Sequence, residues 1–149
     1  MTYYFLLRMV HVSFVVFYVG AAASMAILWL QARRSDGGAE GIPSLNAVVT
    51  VGHRITLTAG SIALLAGILM IMERPSILQH GAVFIVKIIL GVMAVGLSHM
   101  VQGRVRRFRD GAQEGTEQPE AEKSVDMLLK LAPVLALATV LLGVFISHG

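Results

Sequence analysis

Apolar residues along this chain gather into four long runs, at residues 4–30, 47–72, 78–102 and 125–147, separated by polar stretches. Each run is long enough to cross the hydrocarbon core of a bilayer, which takes about 20 residues of helix. Polar residues inside the runs occur singly, so the pattern predicts helices that are apolar nearly all round, as lipid-embedded spans are. The expected fold is all-α: a four-helix transmembrane bundle, up-down-up-down, forming a single domain over residues 1–149. The small residues of "GAAASM" resemble a signal-peptide cleavage site. The first run is too long for that and runs directly into "ARR", so it is read as a span.

The polar stretches set the orientation. The linker at 31–46 carries Arg33 and Arg34, and that at 103–124 carries Arg104, Arg106, Arg107, Arg109 and Lys123, whereas "ERPS" between the middle runs is nearly neutral. By the positive-inside rule both long linkers face the cytoplasm and both termini face the opposite side. The polar, glycine-containing "DGAQEGTEQPEAEK" is expected to be a mobile loop.

Composition agrees and removes several chemistries. The chain is 56% hydrophobic and 14% charged with a mean hydropathy of +0.74, against about a quarter charged in ordinary globular domains. A net charge of +3 and a pI near 9.7 do not point to nucleic acid, because the basic residues sit at the ends of apolar runs. The absence of cysteine excludes disulfides, iron–sulfur clusters and thiol catalysis. A metal would have to be held by histidine, methionine, carboxylate or backbone oxygen, and five histidines are available.

Topology turns position into depth, at about 1.5 Å per helical residue. His53, Arg54 and His99 fall in an inner layer, and His11, His80, Lys87 and His148 in an outer one. Ionisable groups at such depths are costly and usually functional. Lys87, in "AVFIVKIILGV", has no acid near it in its own run and must snorkel, lose its proton or meet an anion. His53, Gly60 and Gly67 recur every seven residues and form one predicted stripe, which suits a flat porphyrin or a closely packed helix. On the third run His80, Lys87, Gly91 and Ser98 share a face, while His99 and Gly103 lie on another. On the first, His11, Ala22 and Met25 line one side with Tyr18 beside it.

Histidines on separate spans, small residues beside them and cations at matching depth are what haem b requires, with imidazole on the iron and Arg or Lys at the propionates. His11, His53 and His99 are the candidate iron ligands, Arg54 a propionate partner and Lys87 the candidate catalytic or substrate-carboxylate group. A quinone fits the same layout, because His and Lys hydrogen-bond its carbonyls. Copper ranks behind, since the methionines form no spaced cluster, and zinc lacks a convergent ligand set.

The run "LLRMVHVSFVVFYVGAAASMAILWLQARR" resembles the first helix of small four-helix membrane proteins that include the HemJ-type protoporphyrinogen oxidase and the copper-resistance D (CopD) type domain. "HGAVFIVKIILGVMAVGLSHMVQGRVRRF" is similar to the third helix of the HemJ type, in which a Lys precedes a His by about three turns; here these are Lys87 and His99. The resemblance implies a multi-pass protein of a bacterial inner membrane that binds haem b, with His11, Lys87 and His99 as the corresponding positions, and oxidises protoporphyrinogen, passing electrons to quinone or a respiratory partner. "FYVGAAASM" and "LKLAPV" stand where that enzyme's first-helix Trp motif and its Asn-Glu-Pro element are expected. "SHMVQGRVRRFRD" also resembles the haem-ligand segment of succinate dehydrogenase membrane anchors in the spacing of His99, Gly103 and Asp110. The rival expectations are a non-enzymatic accessory or assembly subunit of a larger respiratory or photosynthetic complex, packing against other subunits or a second copy, and a copper-handling protein.

Overall fold

A computed structural model of the chain describes residues 2–34, 41–116 and 119–148, apart from the side chains of Thr2, Ile77, His80 and residues 145–148. It is an all-α four-helix bundle. The first span is α1 (Thr2–Arg34). The second is built from α2 (Ile42–Val51), a π-helical turn (Gly52–Thr56) and α3 (Leu57–Glu73), continuous with one another. A short 3-10 turn (Pro75–His80) leads to α4 (Ala82–Gln113), and α5 (Pro119–His148) completes the bundle. All four spans are long and apolar enough to cross a membrane. Many large side chains point outward, among them Val16, Phe17, Leu65, Met72 and Leu141. Exposed apolar surface of that extent is the lipid-contacting surface of an integral membrane protein.

Neighbours in sequence are neighbours in space. α1 lies along α2 and α3 on one side and α5 on the other, and α4 packs against α5 and α2. The larger core cluster sits towards the arginine-rich end and includes Met25, Trp29, Val48, Val101, Val105 and Val125. A smaller one, around Tyr18, Ala59, Ala94 and Ala136, lies nearer the middle.

The helices outrun the apolar runs. α4 continues to Gln113 rather than ending at residue 102, because Val101, Val105, Phe108 and Ala112 keep a helical spacing through the arginine-rich segment and pack on the larger core cluster. Phe108 meets Trp29 edge-on with ring centroids 5.1 Å apart. α5 begins at Pro119, with Glu120 and Glu122 in its first turn where the helix dipole favours acids. The linker expected at 103–124 is therefore mostly helix, and the stretch 110–123, expected to be a mobile loop, is helical through Gln113 and again from Pro119. At the other end α4 starts at Ala82, so residues 78–80 belong to the 3-10 turn. Gly81 between them has φ of +77°, a value that favours glycine.

Ion pairs fasten the arginine-rich end. Arg33 of α1 reaches Glu122 at 2.8 Å and Asp126 at 3.2 Å on α5, Trp29 Nε1 donates to Asp126 at 3.3 Å, and Arg104 of α4 bonds Ser124.

Candidate functional site

His11, Tyr18 and Met25 repeat at seven-residue spacing along α1 and meet the second span. Opposite the first two lie Gly67 and Gly60, whereas the third glycine of the second span, Gly52, faces Gln102 of α4, and Met25 meets Thr56 and Gln102. A methyl group on Gly67 would lie 3.2 Å from His11 Cε1, and one on Gly60 3.1 Å from the Tyr18 ring. Small residues that admit a neighbouring helix closely are the usual device of membrane packing.

The π turn keeps the third glycine in phase. Gly52 and Gly60 are eight residues apart, one more than the repeat allows. The turn absorbs the extra residue: the N–H of Leu57 bonds the carbonyl of Gly52, five residues back. The Thr56 hydroxyl lies 3.4 Å from the Val51 carbonyl and 3.3 Å from the Met25 sulfur, and its one proton serves one of the two at a time. With the extra residue absorbed, Gly52 faces the interior, against the Gln102 carboxamide, and His53 and Arg54 are turned out to the exposed side. The predicted stripe of His53, Gly60 and Gly67 is thus corrected: Gly52 takes the position assigned to His53.

In the half of the bundle away from the arginine-rich end, His11 is half-buried and its Nδ1 contacts the Ala63 carbonyl at 2.7 Å. A carbonyl only accepts, so Nδ1 carries the proton. In the neutral ring Nε2 is then the nitrogen with a free lone pair. Lys87 of α4, also half-buried, extends towards α5, where a methyl on Gly143 would meet Nζ at 3.0 Å, and it lies 6.0 Å from the centre of the Phe84 ring. Its charge acts on His11, and that of Arg8 acts on Lys87. Among the described residues no carboxylate pairs with Lys87.

The other candidates do not join this cluster. Ser98 faces inward and bonds Tyr18, and its neighbour His99 is exposed. Tyr18 lies about 10 Å along α1 from His11, from the rise per residue, so His99 is well removed from the His11 level. His53 and Arg54 are exposed near the level of Met25 and Gln102. His80 lies on the 3-10 turn rather than on the α4 face, and the side chains of His80 and His148 lie outside the described residues. Among the described residues no group of three or more His, Asp and Glu could hold a metal ion. Met72, Met93 and Met100 are exposed, and Met25 is buried with its sulfur accepting from Thr56 at 3.3 Å.

Sequence reasoning passed over Gly52, Thr56 and Gln102, and gave Tyr18 only a marginal place. The Tyr18 hydroxyl donates to the Ala94 carbonyl at 2.7 Å and lies 2.8 Å from Ser98 Oγ. The seven-residue recurrence of His11, Tyr18 and Met25 was the available signal. Nothing in the residue types marks the π turn.

Comparison of the chain with family models, curated proteins and solved structures finds no match.

Proposed function

We propose that this integral membrane protein is a redox protein that binds haem b, with His11 as an axial ligand and Lys87 as the partner of a propionate or of a substrate carboxylate. The observation that carries this is the His11 hydrogen bond to Ala63. Ligating histidines characteristically donate their second ring N–H to a carbonyl or carboxylate, which fixes the tautomer and orients the ring. Gly67 leaves room for the imidazole, and Lys87 presents a cation close enough for its charge to act on His11 and with no acid partner among the described residues. A bound haem supplies one-electron chemistry. What this chain contributes is an oriented imidazole, a positive charge and an apolar surround. Of the three candidate histidines, His11 would hold such a group from within the bundle, since His53 and His99 are exposed. The resemblance to bacterial HemJ-type proteins suggests the cytoplasmic membrane, in which the arginine distribution would turn both long linkers to the cytoplasm.

A second reading is favoured by His11, the one half-buried imidazole among the described residues. A quinol could donate a hydroxyl proton to His11 Nε2 while Lys87 donates to the other oxygen, which makes the same two residues a quinone site.

The test is the absorption spectrum of the protein purified in mild detergent, oxidised and dithionite-reduced. A Soret band that is lost in His11→Ala and kept in His53→Ala and His99→Ala supports the haem reading. Preparations without a Soret band, or His11→Ala protein that keeps it, overturn that reading. Extraction of quinone from wild-type protein but not from His11→Ala would then support the second.

A further inference from the structure

Where the four spans converge at the arginine-rich end, a cavity of about 220 Å³ opens between the last turns of α1, the start of α2, the end of α4 and the first turn of α5. Its apolar wall is formed by Trp29 and Phe108, packed edge-on, with Leu45 and Ala112. Its polar wall is the pair Arg33 and Glu122, joined at 2.8 Å. Gly41 helps to close the hollow: a methyl group there would lie 3.0 Å from the Ala32 carbonyl, so bare backbone lets α2 begin close against α1. An apolar lining with a few polar groups, set between helices of a bundle, is the usual make-up of a small-molecule site. An apolar cavity of about 150 Å³ takes up benzene, so this one has room for a ring with substituents.

Charge narrows the choice of ligand. Arg33 already faces two carboxylates, Glu122 and, at 3.2 Å, Asp126. A further anion would have to compete with both, and a cation would meet the guanidinium; a neutral molecule meets neither obstacle. The ion pairs use two of the five guanidinium N–H groups, and Glu122 Oε2 stays outside its contact with Arg33, so the polar wall sets a donor beside an acceptor. We infer that this cavity binds a neutral single-ring amphiphile of the quinone or quinol class, its ring against Trp29 and Phe108 and its oxygen on the polar wall. A quinone carbonyl accepts from Arg33, and a quinol hydroxyl donates to Glu122. The site is distinct from that of His11, which lies about 27 Å away along α1 from Trp29 by the rise per residue. It stands whether or not His11 holds a ligand.

Trp29 is the single tryptophan of the chain, so its fluorescence reports on this cavity. The full chain in mild detergent is titrated with duroquinone, a one-ring quinone, and free tryptophan amide corrects for absorption and collisional quenching. The expected result is quenching that saturates. Ala112→Leu fills the cavity from the α4 side and should abolish the saturating part, whereas His11→Ala should titrate as wild type. Arg33→Met gives a second variant, because its ion pairs are exposed and their loss costs the fold little. It should weaken binding roughly three- to tenfold, the worth of one hydrogen bond. Quenching of wild type that never saturates overturns the proposal, as do equal curves for wild type and folded Ala112→Leu, or for wild type and Arg33→Met. Saturation lost in His11→Ala would move the ring to that residue and overturns it too.

Discussion

Gly52 and Gln102 touch across the bundle, backbone against carboxamide, so closely that a methyl group on Gly52 would occupy the place of the Gln102 side-chain amide. Gln102 is buried on all sides and cannot swing into solvent. Gly52→Ala should therefore destabilise the protein by about 1–3 kcal/mol through overpacking. Shortening the partner, Gly52→Ala with Gln102→Ala, should recover part of that loss. Thermal unfolding of the three proteins in one detergent measures both effects, and an undisturbed Gly52→Ala protein would show that the two spans are less closely packed than described.

The π turn allows a deletion that an ordinary helix would not tolerate. Ile55 is exposed within the turn, so removing it takes out the extra residue and lets both flanks keep their faces as a continuous α-helix. Removing Ser61, exposed in the regular part of α3, rotates one half of the span against the other by about 100°. Deletion of Ile55 should yield folded, monodisperse protein by size exclusion, and deletion of Ser61 should not. Equal damage from both would contradict the role assigned to the turn.

At the arginine-rich end, Asp126 accepts from Trp29, Arg33 and Lys130, but the three bonds differ in worth. Trp29 is 1% exposed, whereas the side chains of Arg33 and Lys130 are 43% and 66% exposed. Exposed ion pairs contribute about 0–1 kcal/mol, while a buried indole N–H left unpaired costs about 1–3 kcal/mol. Asp126→Ala should accordingly lower stability well beyond Lys130→Ala or Glu122→Gln, and the Asp126→Ala loss should change little with added salt. Denaturation at low and high ionic strength checks this; a loss that vanishes in salt would assign it to the surface charges instead.

What could be read from the sequence follows from what lipid demands. Within the hydrocarbon layer every peptide group must be bonded inside its own helix, so the four spans announce themselves as long apolar runs. Outside it that constraint lapses. The arginines of residues 104–109 looked like a loop because charge concealed the buried stripe of Val101, Val105 and Phe108 that extends α4. His11 was legible as an inward residue because it recurs with Tyr18 and Met25. His53 was placed inward on the assumption of uniform helical pitch, and one added residue at Gly52–Thr56 turned it outward. Gln102 was invisible as a buried group, since it stands at the edge of an apolar run where a polar residue is expected to be wet.

Lys87 tests whether the half of the bundle away from the arginine-rich end is shaped for a ligand. It is half-buried beside Gly143, repelled by Arg8 and unpaired with any acid among the described residues, so in the ligand-free protein it should be a net cost. Lys87→Met keeps the length and apolar stem while removing the charge. The ligand-free variant should therefore melt about 2–4 °C higher than wild type, a shift of the size produced by roughly 1 kcal/mol in a chain of this length. If the protein binds haem as proposed, the haem retained through purification should fall in the same variant, because the cation assigned to its anionic group is gone. Gain of stability together with loss of binding marks a residue kept for function. A Lys87→Met protein that is less stable without ligand would mean that the ammonium already has a stabilising partner in the bundle, and would remove the electrostatic half of the proposed site.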